Sequence, residues 1–129
     1  WDPSLANVLP QYMKIVYKVF YETVDENARD TKKTQGRDMH DYIRKAWEVY
    51  IDSMMREAEW INVGYIPTLR EYLDNGKVSS GIRITVLPSI LLLDALLTEK
   101  VLSEIDYPSR FEELLGLTFR LRGDLKTFK

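Results

Sequence analysis

Arg120, Asp124, Gly123 and Thr127 fall near the end of the 129-residue sequence, in the stretch RLRGDLKTFK. Arg120 and Asp124 are four apart, as are Gly123 and Thr127, so a guanidinium, a carboxylate and a hydroxyl recur at successive turns of one helix. Spacing by itself describes an i, i+4 ion pair on a surface helix. Two other groups invite a chemical reading. Asp25, Glu26, Asp30, Lys32 and Lys33 make a mixed charge run at a helix end, which is the pattern of a solvated face. Glu48 and Asp52 lie one turn apart, where they could share a cation, but Arg44, Lys45 and Arg56 beside them favour ordinary surface pairing.

Much other chemistry is excluded. The sequence has no cysteine, which removes disulfides, thiolate nucleophiles and zinc-thiolate sites. Its single histidine, His40, sits among polar residues with no recognisable partner, so a histidine-rich metal site is excluded and His40 receives no role. Gly76, Gly81, Gly116 and Gly123 are too dispersed for a phosphate-cradling loop. With 18 basic and 20 acidic residues scattered along the chain, the net charge of -2 leaves no electrostatic footprint for nucleic acid. The longest apolar run, 84–97, is interrupted by Thr85, Pro88, Ser89 and Asp94. It is shorter than the ~20 residues of a membrane-spanning helix and reads as buried core.

The elements that must position these residues are all helical. From Gln11, Met13, Val16, Tyr17, Phe20 and Val24 keep the spacing of a buried stripe, broadened by Ile15 and Val19, and Gly36 is a plausible C-terminal cap. Asp38 can cap a second helix, whose stripe of Met39, Tyr42, Ile43, Ala46, Trp47, Tyr50, Ile51, Met54, Ala58 and Ile61 would run nearly 40 Å at ~1.5 Å per residue. Thr68 and Glu71 form a capping box for a short helix, with Asn75 and Gly76 as its exit. Next, Ser79, Ser80 and Gly81 interrupt one apolar stretch and Pro88 falls inside another, which predicts a kinked helix near residues 78–97 with exposed carbonyls at the break. A buried strand pair, favoured by Ile82, Ile84, Thr85 and Val86, is the alternative. A short helix capped by Thr98 follows, and YPS leads into the last helix, where Ser109 and Glu112 form a second capping box. Its apolar residues Phe111, Leu114, Leu115, Leu121, Leu125 and Phe128 recur at helical spacing, with Thr118 among them. The fold class is all-α with short connections. The chain opens on Trp1, and the final helical pattern still runs at Lys129, so it reads as an excerpt of a longer protein with no complete domain boundary inside it.

Taken in order, WDPS, QGRD, YIRKAWE, EAEWI, GYIPTLREYLDNGKVSSG, EIDYPSRF and RLRGDLKTFK together resemble the C-terminal catalytic domain of plant class I terpene synthases. The wording is most similar to conifer enzymes of the monoterpene and sesquiterpene type. The resemblance covers essentially the whole chain, and several segments carry it at once.

That resemblance implies an α-helical bundle around an apolar cavity, in which a magnesium cluster, or manganese in its place, binds the diphosphate of a prenyl substrate. It implies a carbon-oxygen lyase, and most directly one acting on geranyl diphosphate. Sesquiterpene or diterpene synthases of the same lineage are the runner-up, and a non-catalytic helical interaction domain is the rival from another class. The family holds its metals with DDxxD on one helix and Asn/Asp, Asp, x, x, Ser/Thr, x, x, x, Glu on another. The first is absent here, since Trp1 resembles a position that follows it. In the second, Asp124 matches the second position and Thr127 the hydroxyl ligand, while the expected Glu would fall beyond Lys129. Gly123 departs from the pattern and offers no side-chain ligand, so a water would take that place. Arg120 matches a diphosphate-binding arginine, and Arg122 is a weaker candidate for the same work. Ser79, Ser80 and Gly81 match the break of a pocket-lining helix. On this reading the 129 residues alone are inactive. A plastid location follows for a monoterpene synthase and a cytoplasmic one for a sesquiterpene synthase; no targeting segment is present in the sequence.

Overall fold

A computed structural model describes residues 2–105 and 109–127, and every regular element among them is helical. Asp2 caps a 3-10 turn over Pro3–Val8 by accepting from the Ser4 amide at 2.9 Å. Helix α1 covers Gln11–Gln35, with Pro10 just outside it, and closes on Gly36, whose φ of 69° is the left-handed conformation of a C-terminal cap. Helix α2, His40–Val63, starts where Asp38 accepts from the His40 amide. Its 24 residues extend about 36 Å.

The α1 and α2 stripes are buried over only part of their length. Val24, Ala28, Thr31 and Gln35 of α1 are buried, whereas Met13, Ile15, Val16 and Val19 are exposed. In α2, Met39 at its entry, Ile43 and Ala46 are buried, while Ile51, Met54 and Ile61 are exposed. The core therefore sits where the second half of α1 meets the first half of α2, closed by Leu87, Leu91, Leu97 and Leu102, with Phe20 edge-on to Trp47. The charge run of α1 lies on the surface, as Arg29–Asp25 and Lys33–Asp30 pairs, and Glu48 pairs with Arg44.

Helix α3, Leu69–Ser79, begins with the expected capping box: Thr68 Oγ1 accepts from the Glu71 amide, and the Glu71 carboxylate accepts from the Thr68 amide. Its exit differs from expectation. Asn75 and Gly76 are buried inside the helix, because Asn75 Nδ2 donates to the Ser53 carbonyl at 2.9 Å and Gly76 faces the Arg120 side chain. The chain breaks instead at Ser80 and Gly81, and Gly81 takes φ 74°, where a β-carbon would be strained. Helix α4 then runs over Ile82–Leu91 with Pro88 inside it, so the broken helix takes the place of a strand pair and ends short of Leu97.

After α4, residues 92–98 leave helical structure. Buried Gln35 holds them: its Nε2 lies 3.1 Å from the carbonyl oxygens of Leu91, Leu93 and Ala95, and its Oε1 accepts from the Leu97 amide. Arg37 adds a bond to the Leu97 carbonyl. Helix α5, Glu99–Ile105, is capped by Thr98 as its sequence predicts.

Helix α6, Arg110–Thr127, lies against α3 and α4. Ser109 accepts from the Glu112 amide, but the Glu112 carboxylate turns away from the box to pair with Arg83 at 2.5 Å. This pair is almost wholly buried, and Arg83 also donates to the Ile105 carbonyl, so α4, α5 and α6 are tied at one point. The orientation of α6 corrects its sequence pattern. Phe111, Leu114, Leu121 and Leu125 are exposed, and the row turned inward is Glu112, Gly116, Arg120 and Asp124. Phe128 and the YPS segment, with Trp1, lie outside the described residues.

Candidate functional site

Arg120 is the centre of the polar cluster. Its inner-row position on α6 points the side chain past Gly76 of α3, where a β-carbon would stand 2.9 Å from Arg120 Cγ. The guanidinium lies over the Tyr72 ring at 4.6 Å, and Nε donates to the Tyr72 hydroxyl at 2.8 Å. Nη1 donates to Glu57 at 3.0 Å and approaches Ser79 Oγ at 3.4 Å. Glu57 Oε1 also accepts from Ser79 Oγ at 2.5 Å and from Asn75 Nδ2 at 3.3 Å. Three helices thus converge on one cation: α2 through Glu57, α3 through Tyr72, Asn75 and Ser79, and α6 through Arg120.

Asp124 completes the cluster from one turn further along α6. Its Oδ2 accepts from the Tyr72 hydroxyl at 2.6 Å, and its Oδ1 lies 3.7 Å from Arg120 Nε. Burial raises the Tyr72 phenol above its ordinary range, and Asp124 adds to that, against a smaller opposing effect of Arg120. The phenol therefore stays protonated at neutral pH. Burial works against the charge on Arg120, yet the Tyr72 oxygen and the Glu57 and Asp124 carboxylates together raise its pKa, so the guanidinium is held cationic.

The other sequence candidates separate. Ser79 joins the cluster, whereas Ser80 Oγ turns back to donate to the Lys77 carbonyl and Gly81 packs 3.5 Å (for a built β-carbon) from the Tyr50 ring. Thr127 continues the Arg120 and Asp124 face, but its hydroxyl is exposed and donates to the Gly123 carbonyl at 3.1 Å and the Asp124 carbonyl at 3.3 Å. Arg122 is exposed, and two residues along a helix turn it roughly 200° away from Arg120. It makes no hydrogen bond or ion pair among the described residues and is not brought to the cluster. Gly123 has open space around its missing side chain.

Glu57 and Tyr72 were not singled out from sequence, and Asn75 was read only as part of a helix exit. For the α3 residues a signal was present: Tyr72, Asn75, Gly76 and Ser79 recur at i, i+3, i+4 and i+7, which marks one face of α3 as polar and narrow.

As a metal centre the described residues are incomplete. They contain no group of three or more His, Asp or Glu side chains able to hold an ion. Asp124 and Thr127 offer oxygen donors, one Asp124 oxygen being already engaged by Tyr72. That donor type and number fit a magnesium ion, which keeps several waters and takes one or two protein carboxylates together with phosphate oxygens. Beside Arg120 opens a groove of about 360 Å³, lined by Glu57, Trp60, Ile61, Tyr65, Ile66 and Tyr72. It is apolar along its walls and charged at the Arg120 end.

Residues 1–129 match the description "Terpene synthase family, metal binding domain". The chain is 60% identical over its whole length to a chloroplastic alpha pinene synthase of Chamaecyparis formosensis, and covers 20% of that protein. Among solved structures it is similar to abietadiene synthase from Abies grandis, with TM-score 0.93 and 43% identity over 99% of this chain and 17% of the other. It is also similar to isoprene synthase from grey poplar in complex with three Mg2+ ions and dimethylallyl-S-thiolodiphosphate, with TM-score 0.91 and 26% identity over 97% of this chain and 24% of that one. The chain spans about a fifth of the length of the curated relatives it matches.

Proposed function

The chain belongs to the terpene synthase family through that metal binding domain, and from this premise we propose that residues 1–129 are part of the catalytic domain of a magnesium-dependent lyase that ionises a prenyl diphosphate. Geranyl diphosphate is the substrate we assign. The relatives named as pinene, phellandrene, camphene and limonene synthases support this assignment. Their chloroplastic designation supports a plastid location for the parent protein.

The observation that carries the reading is the placement of Arg120: a half-buried, permanently charged guanidinium fixed by Tyr72, Glu57 and Ser79, one turn from Asp124 and two from Thr127. In the proposed reaction the carbon-oxygen bond of the substrate breaks heterolytically, and both bonding electrons leave with the diphosphate. The negative charge that develops there is stabilised by a cation already in position, which needs no reorganisation as the bond breaks. Arginine suits this work because its planar fork matches phosphate oxygens and cannot be deprotonated. Asp124 and Thr127 would hold magnesium, or manganese in its place, with the remaining donors from diphosphate, water and chain outside the described residues. When bound, the metal supplies Lewis-acid neutralisation of the diphosphate. The carbocation left behind then cyclises or loses a proton. The break at Ser79, Ser80 and Gly81 lies on the same side of α3 as Arg120 through Ser79, which supports its assignment to the pocket wall.

The test is turnover by the full-length parent. Geranyl, farnesyl and geranylgeranyl diphosphates are supplied with magnesium, and terpene product and released diphosphate are measured. Product from geranyl diphosphate, reduced at least ~100-fold by Arg120→Ala, is the expected result. Preference for a longer substrate would move the assignment to a sesquiterpene or diterpene synthase. No terpene from any of the three would overturn it.

A further inference from the structure

We propose that Tyr72 is a positioning residue for Arg120, whose hydroxyl relays the Asp124 carboxylate to Arg120 Nε and sets the guanidinium so that Nη2 faces the diphosphate. The inference rests on Arg120 being a diphosphate ligand.

The hydrogen-bond arithmetic fixes the direction of the relay. Nε has one hydrogen and no acceptor capacity, so the Tyr72 oxygen must accept at the 2.8 Å contact. The single phenol hydrogen then goes to Asp124 Oδ2 at 2.6 Å, where a carboxylate can only accept. Asp124 therefore orients the phenol, and the phenol orients the arginine. On the other side Nη1 is held by Glu57 and Ser79. Nε and Nη1 are both engaged, and both Nη2 hydrogens lack an acceptor among the described residues. The Tyr72 ring beneath the guanidinium removes the remaining freedom, tilting, at 4.6 Å.

An unrestrained arginine carries rotamer entropy that an anion would have to freeze out on binding. Here Tyr72 and Glu57 have frozen it beforehand, which is the condition for a cation to act at the moment charge develops. Asp124 thus serves the arginine twice: Oδ2 holds the Tyr72 hydroxyl, and Oδ1 stands 3.7 Å from Arg120 Nε.

The experiment uses the full-length parent and inorganic diphosphate with magnesium as the probe, measured by titration calorimetry without turnover. Tyr72→Phe keeps the ring and deletes the relay. We expect inorganic diphosphate to bind about 10-fold more weakly, with kcat lowered further than KM is raised and the melting temperature within about 2 °C of wild type. Binding within twofold of wild type, with Arg120→Ala clearly weaker, would overturn this inference and leave the Arg120 reading standing. Wild-type affinity in Arg120→Ala would overturn the Arg120 reading and this inference with it. If Tyr72→Phe lowers the melting temperature more, the deciding measurement is the double variant: Tyr72→Phe added to Arg120→Ala is expected to weaken diphosphate no further, and an additional loss would refute the relay.

Discussion

Gly116 of α6 lies so near Lys77 of α3 that a β-carbon on it would stand 2.1 Å from the Lys77 carbonyl oxygen. The two helices touch backbone to backbone at this point. That contact sets how deeply the inner row of α6 enters the bundle, and hence where Arg120 and Asp124 arrive. Because the obstacle is backbone, Gly116→Ala has to displace a helix. We expect a destabilisation on the order of 3 kcal/mol, read as a fall in the melting temperature of the parent protein, with a melting temperature unchanged to about 1 °C counting against it.

Gly76 makes the complementary case. A β-carbon there meets Arg120 Cγ at 2.9 Å, a side-chain atom rather than backbone. Gly76→Ala should therefore push Arg120 off the Tyr72 ring and loosen its bonds to Tyr72 and Glu57, at a smaller cost in stability than a backbone obstacle imposes. Turnover by the parent is expected to fall about 10-fold, while the melting temperature falls less than in Gly116→Ala. The reverse ranking of the two variants in melting temperature would contradict the placement of both glycines.

Local signals in the sequence carried the fold a long way. The Gly36 cap, the Thr68 and Glu71 box, the Thr98 cap and the break at Ser80 and Gly81 each depend on a few neighbouring residues and stand as expected. What failed depended on distant partners. The Asn75 and Gly76 pair has the composition of a helix exit, but Ser53, Glu57 and Arg120 supply reasons to continue that no local window contains. Within residues 1–129 the apolar stripe of α6 is left uncovered, and the face turned to α3 and α4 carries Glu112, paired with Arg83, and Gly116, in close approach to Lys77. In the polar cluster, Arg120, Asp124 and Ser79 are residues the sequence reading had picked out, whereas their partners Glu57 and Tyr72 sit 63 and 48 residues from Arg120 along the chain.

Gln35 organises the chain after α4 with both ends of its amide: the two hydrogens of Nε2 are shared among three carbonyl oxygens, each 3.1 Å away, and Oε1 accepts from the Leu97 amide. Gln35→Leu would leave the buried Leu97 amide and three carbonyls without that partner. With roughly 1–3 kcal/mol for each stranded buried group and partial recovery by water, we expect a loss of about 3 kcal/mol. Hydrogen exchange at the Leu97 amide checks this. Exchange should accelerate there before it does at Ile43 in the core, and equal protection in both proteins would reject the role.

The Lys77 and Glu113 pair predicts a pH dependence. Its hydrogen bond of 2.9 Å lowers the Glu113 carboxyl below its ordinary value of 4.5, and the same bond raises the Lys77 ammonium above 10.5. A lowered carboxylate gives stability that is complete above 4.5 and disappears as pH falls through the lowered value. A raised ammonium gives stability that is complete below 10.5 and disappears as pH rises through the raised value. Glu113→Gln should thus lose about 1 kcal/mol at neutral pH and show a shallower loss between about pH 5 and pH 3. Urea midpoints of the two proteins across that range should converge at low pH. Parallel curves would show that the pair contributes nothing to acid sensitivity.

Gly123 offers the sharpest test of the metal reading. It stands on the same helix as Asp124 and Thr127, and a β-carbon there would meet nothing within 4 Å. Gly123→Asn therefore introduces an oxygen donor on a β-carbon that meets no clash, and replacing glycine within a helix should also gain a few tenths of a kcal/mol, about 0.3. If Asp124 and Thr127 face a magnesium ion, the added donor strengthens the set. The magnesium concentration for half-maximal turnover by the parent should then fall about threefold or more, with the melting temperature of the metal-free protein unchanged or slightly raised. Thr127→Ala, which deletes a donor, should move the requirement the opposite way. If neither variant moves the magnesium requirement while both fold normally, this face of α6 does not hold the metal.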